Sequence, residues 1–185
     1  MLVLSSWKQL MGSLSVLMAL LAFGIYGWQT VVGRVRPQPL SWVLFGLLSA
    51  TGYLVQGDEG AGAGSWVMGA MTIICFLLCG VSVAKGERSF SRQEWAFLVA
   101  GCVVFLLYLF TKEPTVAAVL ATIVDALGFG PTFTRGWRSP YKDSVTSFAL
   151  NSAKYVPSLF AMEAVSVATC IYPVTTVVSR ARLSR

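Results

Sequence analysis

Histidine is missing from the 185-residue chain, and charged residues make up only 12% of it. Without histidine the chain can form neither a His-based metal site nor a Ser-His-Asp triad. Soluble domains average about 25% charged residues, so this chain has too few to cover a folded surface in water. The scarcity of charge also excludes a disordered chain, which needs low hydrophobicity and high net charge.

Cysteine is scarce as well, and its four copies do not form the pattern of a disulfide scaffold. All four lie within apolar runs, at Cys75, Cys79, Cys102 and Cys170. We interpret them as buried small side chains. Cys75 and Cys79 share a helical face, but two thiols without other soft ligands do not predict a metal site. The sequence therefore predicts no cofactor and no bound metal.

Apolar residues are abundant: 56% of the chain is hydrophobic, and its mean hydropathy is +0.70. This composition is typical of an integral membrane protein, whose main partner is the lipid bilayer. The net charge of +6 would also fit a nucleic-acid-binding protein. However, the sequence contains no basic stripe interleaved with aromatic residues, so we do not expect nucleic acid as a partner.

The apolar residues are grouped into seven candidate membrane spans of 16 to 23 residues, and a span needs roughly 20. Proline or glycine stands at several of their boundaries, as expected for residues that end helices. The sequence therefore predicts an all-α integral membrane protein with seven transmembrane helices, at residues 10–32, 40–55, 65–84, 95–110, 114–129, 144–162 and 164–179.

Basic residues fall on one side of this seven-span arrangement. Eleven of the 14 lie in the loops after spans one, three and five and in the C-terminal tail. The opposite side receives Lys8 and Lys112, with the acidic residues Asp58, Glu59 and Glu113. By the positive-inside rule, the N-terminus lies outside and the C-terminus inside. A six-span arrangement would break this alternation.

An internal repeat gives further order to the spans. Residues 27–50 align without gaps on residues 130–153, with eight identities in 24 positions. The alignment pairs the end of span one with the end of span five, and span two with span six. We therefore predict a single membrane domain over residues 1–185, with repeat one at 10–84, a linker helix at 95–110 and repeat two at 114–179. The linker gives both three-helix copies the same orientation.

The stretch from Asp125 to Ser144 contains Pro131-Thr132, then Arg135 and a polar turn. It resembles the second signature of the PQ-loop superfamily. That superfamily includes the SWEET and SemiSWEET sugar carriers, lysosomal amino-acid exporters and vitamin carriers of the PnuC type. The resemblance implies a 3+1+3 arrangement of helices and transport of a small polar solute by alternating access.

Pro131 and Thr132 are the candidate hinge. A proline inside a helix removes a backbone hydrogen bond, and in a membrane the freed carbonyl needs another partner or a water-filled cavity. The functional interpretation is a half-helix that swings, and the alternative is a static kink. Repeat one has Trp28-Gln29 at the corresponding position, so the first copy departs from the pattern there.

Asp125 and Lys154 are charged residues inside predicted spans. Such charges cost at least about 2.5 kcal/mol each at mid-bilayer and usually face a cavity or each other. Counted along their helices, both lie roughly 15 Å deep, so they could pair. Our interpretation is a midplane site in which Lys154 binds an anionic or hydroxyl group. Asp125 would accept a proton or hold the lysine until solute arrives, and a structural ion pair is the alternative.

The predicted substrate site also includes polar and aromatic residues near Lys154 and in repeat one: Asn151, Tyr155, Gln29, Trp42 and Ser49. Asn151 lies one helical turn from Lys154 and would donate a hydrogen bond to the solute. For Gln29 and Ser49 the alternative is a polar contact between packed helices. For Trp42 the alternative is an anchor at the membrane interface.

Two classes of function follow. The first is a PQ-loop/SWEET-like transporter of a small polar solute, with or without a proton, in which two three-helix bundles rock against each other. The second is a non-transporting scaffold, receptor or subunit of a larger membrane complex. We do not expect an enzyme, because the sequence contains no paired carboxylates, Ser-His arrangement or metal cluster. The sequence is compatible with a protein of a bacterial inner membrane or of an organelle membrane. It does not decide whether the chain forms a homo-oligomer.

Overall fold

A computed structural model of the chain describes residues 2–86, 91–128 and 153–181. Over these residues the fold is all-helical, which confirms the predicted class. The helices are α1 (Leu2–Val31), α2 (Pro39–Asp58), α3 (Trp66–Lys85), α4 (Arg92–Thr111), α5 (Pro114–Gly128), α6 (Tyr155–Ala161) and α7 (Val167–Ala181). A short 3-10 helix, Gly62–Ser65, precedes α3.

Four of the described helices are long and apolar enough to cross a membrane, namely those at Ser6–Val31, Pro39–Asp58, Gly62–Lys85 and Arg92–Thr111. Their outward faces carry large apolar side chains, and Phe110 on α4 is 85% exposed. Helices α5 and α7 have 15 residues each, so each spans about 22 Å of a hydrocarbon core about 30 Å thick. The chain is therefore consistent with a membrane protein, while the seven-span topology and its orientation stay predictions.

Local sequence explains where several helices begin and end. Pro39 and Pro114 stand at the first positions of α2 and α5, where a missing N–H costs no hydrogen bond. At the start of α4, Ser91 Oγ accepts from the Glu94 N–H and Glu94 Oε2 accepts from the Ser91 N–H, at 3.2 and 2.8 Å. This capping box starts α4 three residues before the predicted span. Lys112 then ends α4 in the left-handed conformation, with a φ of 53°.

One end of the bundle, which we call the acidic end, gathers the loops at residues 59–65, 112–113 and 162–166. Tyr108 donates its hydroxyl to Asp58 Oδ2, and Lys112 Nζ lies 3.8 Å from the same oxygen. Lys8 Nζ donates to the Met162 carbonyl at 3.0 Å, which places the start of α1 here too. The acidic residues of this end are Asp58, Glu59, Glu113 and Glu163.

The opposite end, which we call the basic end, carries the loop at residues 32–38 and the described residues Gly86 and Ser91. Lys85 Nζ donates to the Val31 carbonyl at 3.4 Å, so α1 and α3 finish side by side. Arg34 and Arg36 lie in the first loop, and Arg92 opens α4. Most basic residues of the described bundle thus lie at the basic end, while Lys8 and Lys112 lie with the acidic residues, as the loop charges predict.

The predicted repeats group six of the helices into two triplets, α1–α3 and α5–α7. Helix α3 contacts both α1 and α2, and α7 contacts both α5 and α6. Between the triplets, α1 contacts α6 and α2 contacts α5. If α1 corresponds to α5, α2 to α6 and α3 to α7, the contact of α1 with α6 corresponds to the contact of α5 with α2. Such a correspondence is expected of two similar triplets around an approximate two-fold axis; the repeat itself stays a prediction.

Small residues form the inward faces of α1 and α5. The buried residues of α1 include Gly12, Ser15, Ala19 and Ala22, and those of α5 include Ala117, Ala118 and Ala121. Membrane helices associate closely through such small residues because apolar side chains gain nothing by leaving lipid. A Cβ added to Gly12 would lie 2.6 Å from the Ala63 carbonyl oxygen, so α1 touches the loop before α3 backbone to backbone.

We therefore expect Gly12→Ala to lower the melting temperature of the detergent-purified protein, because the added methyl group forces α1 away from Ala63. Gly24→Ala is the matched control, since it lies on the same helix and a Cβ there meets nothing within 4 Å. Alanine is favoured over glycine in helices by about 1 kcal/mol, so Gly24→Ala should be neutral or stabilising. Equal melting temperatures for the two variants would contradict the close contact.

Candidate functional site

Lys154 lies at an interruption in the sixth span. Ala153 is helical, Lys154 is a turn residue, and α6 begins at Tyr155. The sequence analysis predicted one continuous helix over 144–162, and the structure differs because Pro157 has no N–H to donate to the Ala153 carbonyl. Since α6 has seven residues, the Lys154 backbone lies about 10 Å from the acidic end.

The ammonium of Lys154 is fully buried and rests against two aromatic rings. Its Nζ lies 4.9 Å from the ring centroid of Phe23 and 4.9 Å from that of Tyr155. A cation over an aromatic face is stabilised by the ring quadrupole, by about 2 kcal/mol when both are desolvated. Because Phe23 belongs to α1 and Tyr155 to α6, the charge lies at the contact between the two triplets.

An aromatic cluster extends from Phe23 toward the basic end. Trp42 of α2 meets Phe23, Tyr26 and Phe45 edge-to-face, with ring centroids 5.8, 5.2 and 6.1 Å apart. Such edge-to-face pairs are worth about 0.5–1.5 kcal/mol each beyond the area they bury. Trp42 is therefore one ring removed from the lysine, and it packs in the aromatic core with 7% of its surface exposed.

Asp125 lies in the same part of the bundle. It is 7% exposed and stands eleven residues into α5, about 16 Å from the acidic end. Cys75, fully buried in α3, lies within electrostatic range of both Lys154 and Asp125. Lys154, just before α6, and Asp125 of α5 thus both act electrostatically on the same buried thiol.

The other predicted site residues are not linked to Lys154 by the contacts described above. Gln29 is half-buried on α1, one turn beyond Tyr26, and Ser49 is buried in α2. Among the described residues, no hydrogen bond or ring contact joins either of them to Lys154. Asn151, Pro131 and Thr132 lie outside the described residues, so their parts in the site and the hinge stay predictions.

Three residues that contact or surround Lys154 were missed by the sequence analysis: Phe23, Cys75 and Tyr172. Tyr172 of α7 packs on Tyr155, with ring centroids 6.0 Å apart. The sequence could have indicated Phe23, because it follows Ala22 on the face of α1 that small residues form. A large ring beside such small residues must pack into a neighbouring helix. Cys75 was correctly interpreted as buried, but nothing in its apolar run indicates two charges nearby.

Pro173 creates a second break in backbone hydrogen bonding, within α7. It has no N–H for the Thr169 carbonyl one turn earlier. The buried side chain of Gln56 fills this gap, since its Nε2 donates to Thr169 O at 3.1 Å. In a membrane a freed carbonyl must be satisfied by another group, and here a side chain of one triplet satisfies the backbone of the other.

Hydrogen bonds between the triplets close the bundle at the acidic end. Ser158 Oγ donates to the Gly64 carbonyl at 2.9 Å, and the Glu163 N–H donates to the Ala61 carbonyl at 3.1 Å. The fit is tight, because a Cβ on Gly64 would lie 2.6 Å from Met162. Lys154 is therefore separated from the acidic end by loops of both triplets that are bonded to each other.

No family model, no curated protein and no solved structure matches the chain. The resemblance to the PQ-loop superfamily therefore stays a prediction from the sequence.

The Gln56 contact predicts a coupled effect on stability. Gln56→Leu removes the donor to Thr169 O and should cost about 1–3 kcal/mol, because the carbonyl stays buried without that bond. Pro173→Ala restores a backbone donor to the same oxygen, so Gln56→Leu should cost much less in that background. Thermal unfolding of the four proteins of this double-mutant cycle measures the coupling. Purely additive losses would show that Gln56 does not compensate for Pro173.

Proposed function

We propose that the chain is a membrane carrier that moves a small polar solute between the acidic and basic ends. The observation that carries the proposal is the fully buried ammonium of Lys154 at the contact between the triplets. Replacing buried ionic groups with apolar ones is often neutral or stabilising. A charge kept inside a membrane protein therefore favours a functional site.

The two triplets supply the moving parts in this proposal. Helices α1–α3 form one bundle and α5–α7 the other, while α4 contacts α2 and α5 and links them. A carrier needs a site that both bundles build, so that their relative motion exposes it to alternate sides. Lys154 meets this condition, because Phe23 comes from the first bundle and Tyr155 from the second.

The surroundings of Lys154 suit the binding of a polar solute by its ammonium group. From its position over two rings, the ammonium could bind a carboxylate, phosphate or hydroxyl group through charge-assisted hydrogen bonds. Asp125 keeps the empty site close to neutral. When an anion binds Lys154, protonation of Asp125 would keep the occupied site neutral too, which gives a reason for proton coupling.

The distribution of charge supports an orientation for this carrier. The acidic end would face outside and the basic end the cytoplasm, according to the positive-inside rule. The hydrogen bonds of Ser158 and Glu163 across the acidic end then correspond to a state closed to the outside. The PQ-loop resemblance of residues 125–144 points to the same class of carrier, in a bacterial inner membrane or an organelle membrane.

A scaffold or receptor subunit is the second candidate. The dense packing around the lysine favours it, since Cys75 and Tyr155 are as buried as Lys154 itself. In this case the lysine would hold α1 and α6 together and would never meet water. The two candidates differ in what happens when a solute is offered.

The test is thermal stabilisation of the purified protein by sugars, amino acids, vitamins and carboxylates. A ligand at 100 times its Kd stabilises the folded state by about 2.7 kcal/mol, so a specific solute should raise the melting temperature of the wild type. Lys154→Met and Asp125→Asn should abolish that rise. Lys112→Met is the matched control, because Lys112 also faces a ring, that of Tyr108 at 5.2 Å, but is exposed.

Two results would contradict the carrier. One is that no solute stabilises the wild type while Lys154→Met and Asp125→Asn both lower its melting temperature strongly, which favours the scaffold. The other is that a solute stabilises Lys154→Met and Lys112→Met equally, which would place its binding site elsewhere.

A further inference from the structure

Gln56 has a buried oxygen whose surroundings indicate a missing hydrogen-bond donor. The residue is 1% exposed and its Nε2 donates to Thr169 O. Its Oε1 has no hydrogen-bond partner among the residues that the structure describes. Buried polar atoms of this kind are commonly satisfied by ordered water, provided that the site is polar.

The polar surroundings continue from Gln56 outward to the acidic end. Thr169 lies beside Ser166, whose Oγ accepts from the Thr169 N–H at 3.2 Å. Ser166 Oγ in turn donates to Glu59 Oε2 at 2.8 Å. Glu59 stands in the loop after α2 and is only partly buried. Hydrogen-bonding groups thus lead from the surface of the acidic end to the side of Gln56.

Polar groups also continue from Thr169 inward along α7. Thr169, Tyr172 and Thr176 are spaced three and four residues apart, so they share one face of the helix, and all three are buried. Tyr172 packs on Tyr155 at 6.0 Å between ring centroids. Tyr155 in turn lies against the ammonium of Lys154.

The helices that carry these groups meet one another. Gln56 belongs to α2, Thr169 to α7 and Asp125 to α5, and each of these helices contacts the other two. The outer part of this line of polar groups therefore runs inside a three-helix contact, and from Tyr172 the line passes to Tyr155 of α6. Its two ends are Glu59 at the surface and the Lys154 site in the interior.

We propose that Gln56 Oε1 binds a buried water molecule, and that this water is part of a hydrated path that leads from Glu59 along α7 to Lys154. The path supplies water to the site from the acidic end while the loops of that end stay bonded. Protons cross it by transfer from water to water, each molecule losing one proton and gaining another. The water path itself does not depend on the proposed carrier function. Only the use of the protons in transport rests on that proposal.

The test is hydroxyl-radical footprinting of the full chain in detergent, in which X-rays split water and radicals label side chains beside it. Tyr172 should be labelled although it is only 9% exposed. Trp42 is the matched control, because it is 7% exposed and lies on the basic-end side of the lysine. Its labelling should not respond to changes at Gln56.

The variants compared are Pro173→Ala and Pro173→Ala/Gln56→Leu. In both, residue 173 can donate its N–H to Thr169 O, so loss of the glutamine does not leave that carbonyl without a donor. We expect Tyr172 to be labelled in the wild type and in Pro173→Ala, and to lose its label in the double variant. Ser166→Ala, which breaks the link to Glu59, should reduce the label without touching Gln56.

Two outcomes would overturn the proposal: an unlabelled Tyr172 in the wild type, or equal Tyr172 labelling in Pro173→Ala and in the double variant. Footprinting needs no solute, so its result is independent of the thermal-shift experiment. If no solute binds but the labelling follows Gln56, the water path stands and the carrier does not. If a solute binds but Tyr172 stays unlabelled, the carrier stands and the path does not.

Discussion

Burial of the Lys154 ammonium is the constraint on which the rest of the structure depends. Moving a charge out of water costs several kcal/mol even after the protein relaxes, so the surroundings must provide compensation. Phe23 and Tyr155 offer their ring faces, and Asp125 lies in the same region of the bundle, around Cys75. Helices α1, α3 and α6 meet one another there, and this contact joins the two triplets.

The remaining polar groups obey the same rule, because a bilayer offers no water to satisfy them. Pro173 breaks the hydrogen-bond ladder of α7, and Gln56 from α2 supplies the missing donor. The Gly64 carbonyl receives Ser158 across the acidic end. Each of these bonds joins one triplet to the other, so the groups that satisfy the backbone also hold the bundles together.

Hydropathy predicted helices α2, α3 and α4 to within three residues at each end. A run of about 20 apolar residues is long enough to cross a membrane and forms a helix when it does. The break before α6 was not predicted, since a single proline within an apolar run indicates either a kink or an end. Counting residues from the span ends predicted a depth of roughly 15 Å for both Asp125 and Lys154, whereas in the structure they lie about 16 and 10 Å from the acidic end. Phe23 and Cys75 could not be assigned to them, because a hydropathy pattern shows which residues are buried and not which ones meet.

The most direct test of the account is whether water-soluble reagents ever reach Cys75, which lies fully buried within range of both charges. The protein, reconstituted in liposomes with Cys79, Cys102 and Cys170 changed to serine, would be treated with a membrane-impermeant thiol reagent. A Lys112→Cys variant without Cys75 shows the rate at an exposed position. A carrier must open its site, so Cys75 should react, and more slowly with bound solute. A Cys75 that stays unmodified from both sides while residue 112 reacts would contradict transport.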